Sequence, residues 1–419
     1  MREMKDSGIE WIAQIPKTWD IHPIYFYFSE RKNKNTLGLE HNLLSLSYGN
    51  VIRKNINTVG GLLPESFNTY NIIEANDIVI RPTDLQNDKR SLRTGLCKEH
   101  GIITSAYIAL KSISDVNVSY VHYLLHTYDI MKVFYNMGNG VRQGLNYSEF
   151  SKLMIFLPPT IEQERIVCFL DKRCDECDSL VSNIQSQIKT LEEYKRSVIT
   201  EAVTKGLDPD VEMRDSGIAW VGDIPAHWLV EKVKFHLQRN EPRNPGDKQV
   251  LSVYREYGVI PKDSRDDNHN VTSEDTSNYK YVVPGNLVIN KMKAWQGSMG
   301  VSEYEGIVSP AYFIYKFTDN QIMPKYLHYL FRSCYKDEFR RISGGIREGQ
   351  WDLSPYEFSN TLLLIPPTDE QNRIVSYIDA RISEIEFAIT EKKQQIETIE
   401  EYKKSLIFEY VTGKKEVQA

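Results

Sequence analysis

The chain has 419 residues, of which 41% are hydrophobic and 26% charged, and a formal net charge of −6. That is the balance of a folded globular protein with room for two or more domains, and it excludes a disordered or collagen-like chain. No apolar run reaches membrane-spanning length, no secretory leader is recognisable, and five cysteines lack framework spacing, so the sequence predicts a protein of a reducing cytoplasm.

The chain begins with a lead-in segment reading Met4-Lys5-Asp6-Ser7-Gly8-Ile9-Glu10-Trp11, then Ile15-Pro16 and Trp19. A mixed lobe follows. Strand-like runs fall at 42–48, 77–81, 102–110 and 153–157, with a short helix near 118–136. Between residues 20 and 157 there are 14 basic and 12 acidic residues, a balance of +2.

The lobe ends at Pro158-Pro159-Thr160, and from there the pattern changes period. No Gly or Pro recurs until Gly206. Thr160 can cap and Gln163 stands three residues on, the spacing of a capping box. Apolar residues then repeat by sevens, with Leu170, Cys177, Ile184, Leu191 and Val198 on one line. Cys174, Val181, Ile188 and Ala202 form the other, with one break at Lys195. This is a heptad seam. About 45 residues at about 1.5 Å each make a rod of roughly 65 Å, which cannot hide its apolar stripe alone. Cys174 and Cys177 form a CxxC, but both lie on the seam and read as packing residues.

Every part then returns. Met213-Arg214-Asp215-Ser216-Gly217-Ile218-Ala219-Trp220, Ile224-Pro225 and Trp228 repeat the lead-in at an offset of 209. The second lobe has matching runs at 249–254, 286–290, 306–317 and 361–365 and a helix near 324–340. Its 18 basic and 17 acidic residues between 229 and 365 balance at +1, which leaves −9 for the rods and linkers. Pro366-Pro367-Thr368 opens the second rod, and Ile399-Glu400-Glu401-Tyr402-Lys403-Lys404-Ser405 repeats Leu191-Glu192-Glu193-Tyr194-Lys195-Arg196-Ser197. Its seam runs through Ile378, Ile385, Ile399 and Leu406, and through Ile382, Ile389, Ile396 and Tyr410, with breaks at Lys392 and Lys403. The expected organisation is a first domain at 1–157, a long helix at 158–206, a second domain with its linker at 207–365, and a second long helix with a tail at 366–419. The expected fold class is α+β: two mixed α/β domains separated by two long antiparallel coiled-coil helices, in a pseudo-twofold tandem repeat. Such packing puts the lobes at opposite ends of the rods, as two DNA half-sites at fixed separation would need.

The whole chain resembles the specificity subunit of Type I restriction–modification systems. The resemblance is carried by Trp11-Ile12-Ala13-Gln14-Ile15-Pro16, Trp220-Val221-Gly222-Asp223-Ile224-Pro225, both Pro-Pro-Thr openings, Glu162-Gln163, Glu370-Gln371 and the alternation of lobes with long helices. It implies that each lobe is a target-recognition domain reading half of a bipartite double-stranded DNA target. It implies that the helices set the unread spacer and dock two modification subunits. In the full complex restriction subunits join them. S-adenosylmethionine, ATP and Mg would belong to those partners, and this chain would have no cofactor, no metal and no catalytic residue. The motifs agree. There is no Asp/Asn-Pro-Pro-Tyr tetrad and no phosphate loop, and Gly138-Asn139-Gly140 and Gly344-Gly345 lack a following helix. The competing readings are a self-sufficient restriction or methylation enzyme, and a structural coiled-coil protein with ligand-binding lobes.

Base edges are read by side chains with several donors or acceptors, and phosphates need positive charge. The first lobe offers Arg81, Lys89, Arg90, Arg93, Arg142 and Gln143 for DNA. The second offers Arg255, Lys291, Lys293, Arg347 and Gln350. Glycines beside Arg142 and Arg347 allow close backbone approach. His122 and His328, on the matching short helices among aromatics, read as core histidines.

Overall fold

The computed structural model describes residues 2–56, 66–83, 85, 92–135, 137, 144–255, 257–264, 275–345 and 351–418. Its frame is set by helices α1 (Val118–Ile130), α2 (Thr160–Lys205), α3 (Pro324–Ser333) and α4 (Thr368–Val411). The chain forms two compact units, one made of Met1–Ile184 with Gln394–Ala419 and the other of Gln185–Lys393. Each unit therefore takes its own lobe, one half of α2 and one half of α4.

In the first unit, Met4–Ile9 and Ile12–Pro16 form an antiparallel lead-in hairpin, and Asp20–Pro23 pairs with Met154–Leu157. A four-stranded antiparallel sheet follows in the order Phe28–Glu30, Ile108–Ser112, Ile78–Ile80, Thr94–Leu96. Its central strand is buried on both faces. Ile78 and Ile80 join the main core with Phe28, Leu124 and Phe156, whereas Val79 turns to a smaller cluster with Leu44, Ile73 and Ile103. That is the two-residue alternation of a strand between two layers. A hairpin of Leu44–Ser47 with Asn50–Arg53 covers the smaller cluster.

The second unit repeats this plan. Met213–Asp215 pairs with Asp223–Pro225, and Leu229–Lys232 pairs with Leu362–Ile365. The sheet runs Leu237–Arg239, Tyr312–Phe317, Leu287–Asn290, Met299–Val301. Leu287 and Ile289 face the main core with Tyr326, Leu330 and Phe358, while Val288 faces Leu251, Val253 and Ile314. The long apolar runs expected at 102–110 and 306–317 are each broken in two, by turns closed by Tyr107 N–H to Thr104 and by Tyr312 N–H to Ser309. The helix expected at 324–340 likewise splits into α3 and a short helix at Lys336–Arg341.

The two long helices pack together. In the first unit Phe169 meets Tyr410 and Asp178 bonds Lys403. In the second, Gln187 bonds Lys392 and Glu386 bonds Lys195. One number rises as the other falls, so within each unit the halves run antiparallel. The lysines that break the heptad seam are thus the residues that cross-link it.

The repeated words of the sequence meet at the helix ends. Trp19 Nε1 donates to Glu162 at 3.2 Å, and Trp228 Nε1 donates to Glu370 at 3.1 Å. Tyr120 Oη donates to the Val411 carbonyl near the end of α4, and Tyr326 Oη to the Val203 carbonyl near the end of α2. Such a bond satisfies a last-turn carbonyl left without a helical partner. Gly413 and Gly206 follow in the left-handed region at φ 71° and 76°. A Cβ at Gly413 would stand 2.5 Å from Pro16. Gln163 and Gln371 do not close capping boxes. Each amide spans outward instead: Gln163 accepts from the Asn117 N–H and donates to the Pro158 carbonyl, and Gln371 accepts from Met323 N–H and donates to Gln321 and Pro366.

Candidate nucleic-acid interface

In the second unit the strand Leu287–Asn290 delivers the chain to a tight surface turn. Asn290 Oδ1 accepts from the Met292 N–H, and buried Ala294 anchors a short 3-10 turn at Ala294–Gln296. This fixes Lys291, Lys293, Trp295 and Gln296 on one short arch. Trp295 donates its ring N–H to the Met292 carbonyl at 3.1 Å and lies 5.4 Å from Trp351, at an interplanar angle of 53°. The Arg340 guanidinium stands 6.0 Å from the Trp351 ring. Arg255, at the tip of the hairpin Leu251–Tyr254 and Gly258–Pro261, donates to the Gln296 side-chain Oε1, and Arg332 donates to the Arg255 backbone carbonyl. Lys291 lies 3.5 Å from Asp352. Three of the expected second-lobe residues, Arg255, Lys291 and Lys293, therefore belong to one patch. The patch mixes cations, an amide and two indoles, which suits phosphate contact, base-edge bonding and apolar contact together. Arg347 and Gln350 lie outside the described residues.

The first unit treats the matching place differently. Arg81 follows the strand Ile78–Ile80, and its backbone N–H bonds the Arg93 carbonyl at 2.8 Å. Arg93 itself is a correction to the sequence reading, because it is 0% exposed. Its Nε donates to Tyr135 Oη at 3.0 Å, its Nη1 bonds the Thr83 carbonyl, and its guanidinium stands 5.0 Å from the Tyr135 ring. Tyr135 Oη donates to Asp129 at 3.0 Å and receives a bond from Lys132 at 2.9 Å. Burial, with Asp129 beside it, pushes the Tyr135 phenol up to about 12. Burial also raises the Asp129 carboxyl above its ordinary value. A guanidinium so enclosed ties both ends of the 81–93 loop to the helix side of the lobe and has no surface left for a base. Lys89, Arg90, Arg142 and Gln143 lie outside the described residues.

His122 and His328, expected in the core, are each half-buried. Burial drives His122 and His328 each down to about 3, and His126 to about 4. His122 and His126 line a cavity of about 800 Å³ in the first unit, with Asp171, Cys174, Lys403 and Lys404. Among the described residues no group of three His, Cys, Asp or Glu is placed to hold a metal ion, and no helix is long and apolar enough to cross a membrane. The residues that sequence reasoning passed over are Trp295, Gln296, Arg340 and Trp351. A tryptophan between Lys293 and Gln296 in a polar loop was the available signal, since an indole there has no helical or strand period to serve.

Residues 236–398 match the family described as Type I restriction modification DNA specificity domain. The putative type I restriction enzyme MjaX specificity subunit of Methanocaldococcus jannaschii is 23% identical over 308 residues, 70% of this chain and 67% of that protein. The type I restriction enzyme MjaVIII specificity subunit of the same organism is 27% identical over 135 residues, 32% of this chain and 30% of that protein. In fold, the chain is similar to one from a structural study of complex assembly and conformational transition of the type I R-M system. That match has a TM-score of 0.65 at 11% identity, covering 95% of this chain and 99% of the other. The HsdS subunit from Thermoanaerobacter tengcongensis matches at a TM-score of 0.50 and 13% identity, over 95% and 98%.

Proposed function

We propose that this chain, similar over residues 236–398 to the type I restriction modification DNA specificity domain, is the non-catalytic DNA-reading subunit of such a complex. Each lobe binds one half of a bipartite target in double-stranded DNA. The paired helices act as the ruler for the unread spacer and dock two modification subunits. Those subunits bring S-adenosylmethionine and the methylation chemistry, and restriction subunits bring the ATP- and Mg-dependent steps. This chain's own task is recognition, in the cytoplasm.

One observation carries the reading. The two units share a four-stranded sheet of the same order, yet the second sets two half-buried indoles among the exposed Arg255, Lys293 and Arg340, while the first turns Arg93 inward just before its next strand. A kept scaffold with changed surface chemistry is what two readers of different sequences require, because phosphate contacts fix position and base-edge contacts fix sequence. The patch also accounts for DNA binding by a chain of net charge −6, since the lobes are close to neutral and the charge excess sits on the rods and linkers.

The test is a binding titration of the chain with its modification subunits on a cognate duplex. Arg255→Ala and Trp295→Ala should each weaken cognate binding by about 1–3 kcal/mol and narrow the gap to non-cognate DNA. Unchanged constants for both variants would remove the patch from the interface. A uniform loss on all sequences, with the salt slope flattened by about one, would assign Arg255 to a phosphate.

A further inference from the structure

The duplication makes the chain its own comparison. Leu43 bridges Ile102 and Val250 bridges Ile307, and each bridge opens a hairpin. These are Leu44–Ser47 with Asn50–Arg53 in the first unit and Leu251–Tyr254 with Gly258–Pro261 in the second. Counted from the bridges, Tyr48 stands where the second unit has Arg255, as the first residue past the strand. Arg255 belongs to the basic and aromatic patch, inside the stretch that matches a DNA specificity domain. Tyr48 is 77% exposed, and among the described residues neither its ring nor its hydroxyl has a ring or hydrogen-bond partner. Its backbone is left-handed at φ 45°, and Gly49 follows at 80°. Two consecutive positive angles make the tight turn that matches the twist of the strands, and Asn-Gly is the pair that fills it best. A tyrosine there is strained, because its Cβ crowds the following carbonyl. The turn also sits close on the strand beneath it, since a Cβ at Gly95 would stand 3.2 Å from the Gly49 carbonyl oxygen.

We infer that Tyr48 is a base-reading residue of the first lobe, set at the position that Arg255 holds in the second and meeting double-stranded DNA with a phenol in place of a guanidinium. The inference rests on the DNA-reading function proposed above. A strained and exposed ring stabilises neither the turn nor the core, so the reason for it lies outside the fold. The surroundings favour DNA as the occupant. Tyr48 and the exposed Lys98 share the rim of the first unit's cavity, a ring beside a cation as in the second unit's patch. Every carboxylate lining that cavity stands on a long helix, which leaves the lobe side open to a phosphate. The exchange of side chains at one shared position also lets two lobes read different words from one frame. An arginine offers paired donors to a guanine edge, whereas a phenol offers one hydroxyl and an apolar face suited to a thymine methyl.

The experiment compares the full parent chain with Tyr48→Asn, a substitution that suits the left-handed turn. Urea unfolding of each chain gives the midpoint. Titration of each chain with its modification subunits gives dissociation constants, on the target that the parent methylates and on duplexes changed base by base in each half. Tyr48→Asn should unfold at a higher urea concentration than the parent, because asparagine tolerates the left-handed backbone. Its constant for the cognate duplex should rise about tenfold, with discrimination lost in one half of the target and kept in the other. A gain in stability beside a loss of reading is an outcome that a purely structural tyrosine cannot give. An unchanged cognate constant, or an equal loss on every duplex, overturns this inference, and the DNA-reading function still stands if Arg255→Ala relaxes its own half. A lower unfolding midpoint overturns the inference as well, because Tyr48 would then serve the fold. A parent complex that prefers no sequence overturns the DNA-reading function and this inference with it.

Discussion

Two arginines show what a residue type does and does not disclose. Arg93 and Arg255 are both arginines near turns in polar surroundings, and both suit DNA by chemistry. Arg93 is enclosed by Tyr135, Thr83 and Arg81, while Arg255 stays at a hairpin tip. What separates them is Asp129 and Tyr135 on the helix side of the lobe, some forty residues away in sequence, which no local pattern signals. The histidines are easier, since a helix with aromatics around a lone imidazole predicts burial. That burial has a pH consequence. His122 is depressed by burial first, then by His126 and Lys98; His126 by burial, then Lys403 and Lys404; and His328 by burial, then Arg332 and Lys325. With folded values of about 3 to 4 against an ordinary 6.5, the unfolded chain takes up protons first. Stability is therefore fully present above pH 6.5 and falls as the pH drops towards 4, by about 2 kcal/mol per histidine at pH 5. Urea unfolding of the parent and of His328→Asn at pH 7 and pH 5 should show the parent losing that much more. Equal losses in the two proteins would mean that His328 is not held neutral by the fold.

At the scale of elements, the long helices are the most legible part of the chain, because a seven-residue apolar repeat sustained over six turns and more fits little besides a long helix packed on another. The seam is unevenly buried. Leu170 and Ile378 are fully enclosed near the lobes, and Val198 and Leu406 are nearly so. Along the middle, Val181, Ile184, Ile188 and Leu191 of the first long helix are half-buried, while Ile385 and Ile389 of the second are buried. The sequence alone makes Ile188→Asp look like a fully buried charge. The observed exposure lowers its expected cost to about 1–2 kcal/mol, because the carboxylate can turn to water. Leu170→Ala should cost more, about 2–5 kcal/mol, as it opens a cavity at the junction of helix and lobe. Thermal or urea unfolding of the two variants ranks them, and a larger loss for Ile188→Asp would mean that the middle of the rods is closed in solution. The lobes are less legible. The expected strands lie within a few residues of the observed ones, but turns at Thr104–Tyr107 and Ser309–Tyr312 cut two apolar runs, since burial on both faces erases the alternation that marks strand ends. The glutamines after each Pro-Pro-Thr are legible as important and misleading in role, because a cap and a tie to a neighbouring loop need the same amide at the same place.

For the whole molecule, duplication turns a local substitution into a question about half of the function. Each unit has its own core and its own sheet. Sites that share no partners contribute additively to stability and binding, whereas residues that share a patch couple. Trp295, Trp351 and Arg255 share a patch in the second unit, so under the proposed function an exchange among them should alter one half of the DNA word and leave the other half untouched. The spacing between the halves, fixed under the proposed function by the helices and not by the loops, should not move. Mapping methylated adenines genome-wide in cells carrying the parent chain and then a Trp295→Ala, Arg255→Ala chain reads all three quantities at once. The parent should yield two short words at a constant gap. The variant should keep one word and the gap while the second word relaxes at one or more positions. If both words relax, the two units do not read independently. If the gap changes while the words stay, the loops and not the helices set the distance, and the division of labour between lobe and rod is wrong.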